Sequence, residues 1–351
     1  MSQDTRLLAL PHPQRVRGSP FLANAFNQED WVAVFNRALW EQLMVWLEDT
    51  TLAPADIAAR LIDAFPQFEP KFRSMDELNG TGTNYGSLAT MIRTLRAYKL
   101  VLPQYQTTDF LEARLLQTDI GEGIPLKFFR APLPEMYLEF GQHRVSPLRV
   151  NNIKTGDHVL EGVYLHERQY ASGDRDLELE FIGSPLGRDD PLDDATQYIT
   201  LKVSAEDEVS LTVGAWLERE FQRIAAVTLT YGMRELAPGH MTRELCLHVA
   251  KVLLYLNLKD ARLEMCQEAT LLAEQLKRLG PAKQAKLRRK LDKVYDRIIV
   301  GPPVNEASGN GSNGRAPTAH WRRGHFRNQA HGPGYALHKL IWLEPILVNS
   351  F

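Results

Sequence analysis

Four separate runs between Met136 and Val203 carry apolar residues at every second position, and a period of two restricts this part of the chain to β-strands with one buried face. Met136, Leu138 and Phe140 alternate with Tyr137 and Glu139, and Val163 and Leu165 lie in a similar run. Leu177, Leu179 and Phe181 alternate with Glu178 and Glu180; Ile199, Leu201 and Val203 alternate with Thr200 and Lys202. Residues 131–214 are therefore expected to form an antiparallel β-meander with its second face in water. Glu139, Glu178 and Glu180 suit such a wet face. Paired carboxylates also serve glycosidases, but alternation alone accounts for these three. The acidic run from Arg188 to Asp194 contains Pro191 and lacks the central glycine of a calcium loop, which marks a turn.

Helical spacing brackets these strands. Trp31, Phe35, Ala38, Leu39, Leu43 and Trp46 recur at three and four, predicting a helix over 29–47 with Asn27 as its cap and the aromatics in the core. Pro54 opens a second helix through Ala64, and Leu88, Ile92, Leu95 and Lys99 mark a third from Tyr85. The intervening Asn79 to Ser87, NGTGTNYGS, reads as a flexible loop: it has no lysine after its glycines and no preceding strand, as a phosphate-binding loop requires. Further helices are expected over 216–227, 242–256, 261–279 and 281–299, the last two separated by the Gly280–Pro281 stop signal. On the last, Leu287, Leu291, Val294 and Ile298 form an apolar stripe, flanked by a basic ridge of Lys283, Lys286, Lys290, Lys293 and Arg297. That ridge suits phosphate tracking, and equally suits long side chains lying beside a buried stripe.

The resulting organisation is an extended arm (1–24), a helical region (25–130), the meander (131–214), a second helical region ending in the basic helix (215–300), a Gly/Asn/Ser/Pro-rich linker (301–319) and a C-terminal hairpin (320–351). The fold class is α+β, with the hairpin packing back on the core. At 351 residues and 44% hydrophobic the chain can bury a substantial core. No apolar run has the length of a membrane span and Met1 to Pro20 lacks a signal-peptide core, so a cytoplasmic protein with no membrane partner is expected. Cys246 and Cys266 lack zinc-site spacing and read as buried free thiols. The net charge of −2 conceals an asymmetry: Lys277 to Leu343 holds fourteen Lys/Arg against three Asp/Glu, leaving the rest of the chain at −13. Such a basic surplus favours a polyanionic partner.

The most unusual chemistry lies in the tail, where four of the ten histidines (His320, His325, His331, His338) fall within HWRRGHFRNQAHGPGYALHKLIWLEPILV. Two strand-like runs, Ala319 to Gln329 and Leu337 to Val348, flank the turn-forming HGPG. The second is apolar on both faces, which predicts burial inside a larger sheet. Period two places Trp321, Arg323, His325 and Arg327 on one face and His320, Arg322 and Phe326 on the other, so a shared metal or a two-histidine ribonuclease site would need a bulge at Gly324. No metal or cofactor is expected. Three readings stay open. His325 with Arg323 and Arg327 can serve metal-independent phosphodiester cleavage. Trp321, Arg322, Arg323, His325, Arg327 and Gln329, together with the basic ridge, can bind RNA or a protein partner by forked contacts and stacking. Alternatively, Arg323, His325 and Arg327 pair with acids of the meander and hold the tail on the body. Trp342 and Leu343 read as core.

His320, Arg323, Gly324, His325, Arg327 and Gln329, followed by Trp342 and Pro345 of IWLEP, resemble the type V-A anti-CRISPR proteins that lower the level of the effector nuclease by causing loss of its mRNA during translation. These motifs cover about a tenth of the chain. The resemblance implies a non-enzymatic inhibitor from a phage or other mobile element, acting in the bacterial host cytoplasm. Its implied partners are the emerging N-terminal peptide of the effector and the ribosome or its mRNA. It brings no catalytic residue, and leaves the peptide-binding surface and oligomeric state open. A ribonuclease acting on the message and a phage nucleic-acid-binding protein are the alternatives.

Overall fold

The computed structural model describes residues 7–19, 37–64, 84–141, 143–144, 146–152, 155–186, 195–230, 240–302 and 320–348. Expectations for residues 1–6 and 20–36, Asn79 to Thr83, Arg188 to Asp194 and the linker from Pro303 to Ala319 fall outside these residues. The N-terminal part supplies α1 (His12–Gly18), α2 (Arg37–Glu48), α3 (Pro54–Ala64) and α4 (Asn84–Lys99), then β1 (Gln104–Thr107), α5 (Asp109–Leu116) and β2 (Thr118–Asp119). Next come β3 (Glu135–Glu139), β4 (Arg149–Asn152), β5 (Gly156–Gln169), β6 (Arg175–Gly183) and β7 (Thr196–Val203). These lead into α6 (Ala205–Ser210), α7 (Val213–Thr230) and α8 (His240–Leu256). The remaining elements are β8 (Leu263–Cys266), α9 (Glu268–Lys277), α10 (Pro281–Leu291), β9 (Arg297–Val300), β10 (His320–Arg322), β11 (Gly324–His331), β12 (Leu337–Leu343) and β13 (Ile346–Val348). The chain is an α+β protein.

The main sheet runs β7-β6-β5-β3-β1-β9-β8, with β4 also paired to β5. Strands β3, β5, β6 and β7 are antiparallel, in registers such as Met136 with Leu165 and Leu179 with Ile199. The short β1 extends the sheet in parallel, between β3 and β9. One face carries Met136, Leu138, Val163, Leu165, Leu177, Leu179, Phe181 and Leu201, all fully buried in a core shared with Trp216 of α7 and Leu245, Val249, Leu253 of α8.

The opposite face is not in water, contrary to the expectation from alternation. Glu135, Glu139, Glu178 and Glu180 are 2–4% exposed. The N-terminal helices bring guanidinium groups to three of them, Arg93 meeting Glu180 at 2.7 Å and Glu178 at 3.3 Å and Arg96 meeting Glu135 at 3.1 Å, while Glu139 accepts from the Tyr295 hydroxyl. Buried carboxylates persist because each charge gains a partner that water would otherwise supply. At a bulge between Leu160 and Gly162 the register shifts, and the fully buried Glu161 accepts from the backbone N–H of His12, from Arg15 and from the Tyr137 hydroxyl. Residues 12–18 of the expected extended arm are therefore a helix clamped to the sheet by Arg15.

Three other expectations are corrected. Asn84 to Ser87 lie in α4 and not in a loop. The stretch 261–279 begins with β8 before α9 starts, because Leu263 and Met265 pair with Val300 and Ile298. The helix expected over 281–299 ends at Leu291; Arg297 to Val300 form β9, between β1 and β8, where branched side chains pack well on a pleated surface. Cys246 is buried, Cys266 only half-buried, and both thiols are free.

Arg96 also closes the α2–α3 corner, donating to the carbonyls of Trp46, Leu47, Asp49 and Leu52. Replacing it by methionine strands these acceptors and Glu135; urea unfolding should show a loss of about 3–5 kcal/mol. A second prediction concerns pH. Burial, assisted by the charge of Glu161, pushes Glu139 up to about 7 from 4.5, against a hydrogen bond from Tyr295 and the charge of Arg144. The native state therefore holds this proton more tightly than the unfolded chain, so the contribution of Glu139 to stability falls as pH rises from 4.5 to 7 and is then constant. The change is about 3 kcal/mol. Glu139→Gln should flatten that slope and raise the unfolding midpoint at pH 8.

Candidate binding site on the C-terminal hairpin

The chain returns to the body at β10, and a break at Arg323 then divides the first tail run into two strands. β10 pairs with β13, whereas β11 pairs with β12 on one side and with the two-residue β2 on the other. The approach at Gly324 leaves no room for a side chain: a Cβ there would lie 2.6–2.8 Å from Pro345 Cδ, Pro345 N and the Leu343 carbonyl. Gly121 plays the same part opposite, where a Cβ would overlap the Phe326 carbonyl at 1.9 Å.

Phe326, fully buried, anchors the hairpin and stacks at 6.2 Å on Trp342, which in turn meets Tyr255 of α8 edge-on at 5.4 Å. Trp342 Nε1–H donates to the Thr118 hydroxyl, and Arg114 of α5 donates to the Pro345 carbonyl. Lys251 of α8 donates to the Leu115 carbonyl, and burial lowers the pKa of its ammonium. Trp342 is thus partly buried against the core, as expected, but Leu343 is 40% exposed. β12 is not enclosed in a larger sheet; it is the outer strand of a three-stranded one, with Leu337, His338 and Lys339 exposed. Its apolar residues exceed what docking one face of a short sheet requires.

Inward-pointing Phe326 and Leu340 fix the other face. His325, Arg327, Gln329 and His331 share it with Leu343, Ile341, Lys339 and Leu337, their cross-strand partners. Arg327, Lys339, Leu337 and Leu343 are exposed, and His325, Gln329, His331 and Ile341 half-buried. No acid lies in this set. Arg323, at the break before β11, pairs with Asp119 of β2 at 2.7 Å, both groups being more than half exposed. It thus meets an acid of the body, but one outside the meander. Arg322 is exposed; the side chains of His320 and Trp321 lie outside the described ones. Gln329 donates to the Ala330 carbonyl.

The basic ridge is divided. Lys283, Lys286 and Lys290 are exposed on α10, with Lys290 3.4 Å from Glu268. Lys293 follows the helix. Arg297 sits in β9, donates to Gln106 and lies over Tyr295, so it is no part of the ridge. α10 packs on α9, whereas the hairpin is seated on β2, α5 and α8. The face also includes His331, Leu337, Lys339 and Ile341, which the sequence reading left out. The usable signal was the register across HGPG, which pairs LHKLIWL with HFRNQAH. His325 and His331 are six residues apart on one strand, about 20 Å. His338 belongs to the other face, opposite Ala330. Among the described residues no group of three or more His, Cys, Asp or Glu is placed to hold a metal ion. No described helix is long and apolar enough to cross a membrane.

The model of the AcrVA2-like family, anti-CRISPR type V subtype A2, matches residues 105–350. The chain belongs to this anti-CRISPR family. Its role is accordingly that of an anti-CRISPR inhibitor. The matched span starts in β1 and takes in the rest of the sheet and the hairpin, while α1 to α4 precede it. No curated protein and no solved structure matches the chain.

The anti-CRISPR hairpin depends on the two close approaches. Gly324→Ala should release it from the body: hydrogen exchange in β10 and β13 should accelerate at least tenfold while β5 and β6 keep their protection.

Proposed function

We propose that this anti-CRISPR inhibitor is a non-enzymatic binding regulator, which recognises the nascent polypeptide of a type V-A effector nuclease on the ribosome and causes loss of its mRNA. The observation that carries the reading is the hairpin face: Arg327 and Lys339 beside Leu337, Ile341 and Leu343, with no acid among them, on a sheet anchored by Phe326 and Trp342. A rigid, open, basic and apolar surface binds a chain or a phosphate backbone; a cleavage site needs an acid and a base converging on one bond. The wide spacing of His325 and His331, and the opposite facing of His338, support binding over message cleavage by this chain.

Arg323, Arg327 and the exposed lysines of α10 serve in this reading as contacts to the RNA-containing assembly. Loss of the message then follows from recruitment, since nothing is asked of the inhibitor but simultaneous contact with peptide and ribosome. The experiment is purification of tagged inhibitor from cells translating the effector, with sequencing of the attached messages. Effector mRNA should be enriched at least tenfold, and R323E/R327E should abolish the enrichment while leaving the thermal unfolding midpoint within a few degrees, because exposed pairs such as Arg323–Asp119 contribute little to stability. Equal recovery of all messages would defeat the proposal.

A further inference from the structure

β12 ends its sheet on an edge that no described strand covers. The backbone geometry says which groups are open there. Gly324 N–H donates to the Gln117 carbonyl on the β2 side, so even-numbered residues of β11 turn their peptide groups toward β2 and odd-numbered ones toward β12. The hydrogen-bonded pairs are then His325–Leu343, Arg327–Ile341, Gln329–Lys339 and His331–Leu337. It follows that the N–H and C=O groups of His338, Leu340 and Trp342 point away from the sheet, along the open edge. The Gln329 side chain agrees with this polarity: it caps the carbonyl of Ala330, which faces beyond the short β2.

His338 is exposed and Trp342 half-buried, with the buried Leu340 between them, and such an edge offers a ladder to an extended backbone. What the added strand must carry is set by the neighbouring face. Its outward side chains would lie beside Leu337, Lys339, Ile341 and Leu343, with Arg327 one strand further, about 10 Å away. Leu337 and Leu343 are 54% and 40% exposed, and no carboxylate of β11 or β12 shares the face of Arg327 and Lys339; Asp119, the β2 neighbour of His325, borders it. The nearest acids at its rim are already engaged, Asp119 with Arg323 and Glu344 with Arg114. We infer that β12 is a strand-addition site for an unfolded polypeptide segment whose one face alternates apolar and acidic side chains. The partner class rests on the nascent-polypeptide reading: a chain not yet folded presents free backbone groups, and a folded domain does not.

The probe is a fluorescein-labelled decapeptide alternating valine and glutamate, titrated into the full-length protein and followed by anisotropy. A valine–lysine decapeptide and a single-stranded RNA decamer serve as competitors. His338→Pro removes one edge N–H and fills its place with ring carbons, at a position whose N–H makes no bond within the sheet. It should weaken the valine–glutamate probe at least tenfold, with circular dichroism unchanged. R327E/K339E should reverse the preference, so that the valine–lysine peptide binds tenfold better than the acidic one; this swap decides the matter if His338→Pro disturbs the fold. The inference is overturned if wild-type protein fails to bind the acidic peptide, if the swap leaves the preference unchanged, or if the RNA decamer displaces the peptide at equal concentration. Edge binding that survives while wild-type protein recovers no effector message sinks the nascent-chain reading and leaves the strand-addition site standing. Message recovery without peptide binding does the reverse.

Discussion

The pairing of buried carboxylates with guanidinium groups between the sheet and the N-terminal helices is the interaction on which the remaining architecture depends. Glu135, Glu161, Glu178 and Glu180 all lie on strands, and all are buried. Arg15, Arg93 and Arg96 reach them from α1 and α4, and Arg144 approaches Glu161 from the segment after β3, at 3.4 Å. Removing such a group from water costs several kcal/mol, so this face of the sheet is stable only while covered and paired. Cover and sheet therefore depend on one another. Around the ion pairs, Val16, Ala97, Leu102, Tyr137, Tyr164 and Ile182 supply the apolar contact.

That arrangement leaves the second face of the sheet to a conventional apolar core with α5, α7 and α8, and it is on α5 and α8 that the hairpin is seated. Burying Phe326 contributes roughly 1.5–3 kcal/mol. It also sets which side chains point out, because with a period of two the choice of an inward residue determines every other one on the strand. The basic and apolar face of the anti-CRISPR protein is thus a consequence of how Phe326, Leu340 and Trp342 dock.

The strands were legible where they alternate, and α3, α4, α7 and α8 where apolar residues recur at three and four. The hairpin was legible from HGPG between two β-prone runs. The breaks in 261–279 and 281–299 were not: Ile298 continues the helical stripe of Leu287, Leu291 and Val294, and the pairing of β9 with β1 and β8 decides for the strand. Of the site, Arg327 and His325 were readable on one strand. Their neighbours Lys339, Ile341 and Leu337 arrive from the partner strand, through a register that five intervening residues set.

By itself the sequence determined the α+β class, the alternation that produces strands in its middle, the return of the tail to the core and the concentration of cations near its end. These are local properties, set by side-chain period and turn chemistry within a few residues. Tertiary structure decided which faces meet water. A glutamate at every second position reads the same whether it is solvated or paired with an arginine from a helix 39 to 146 residues away in sequence. It decided in the same way that β12 is an edge among the described strands, since an unpaired edge is a statement about those other strands, and no stretch of chain carries it alone.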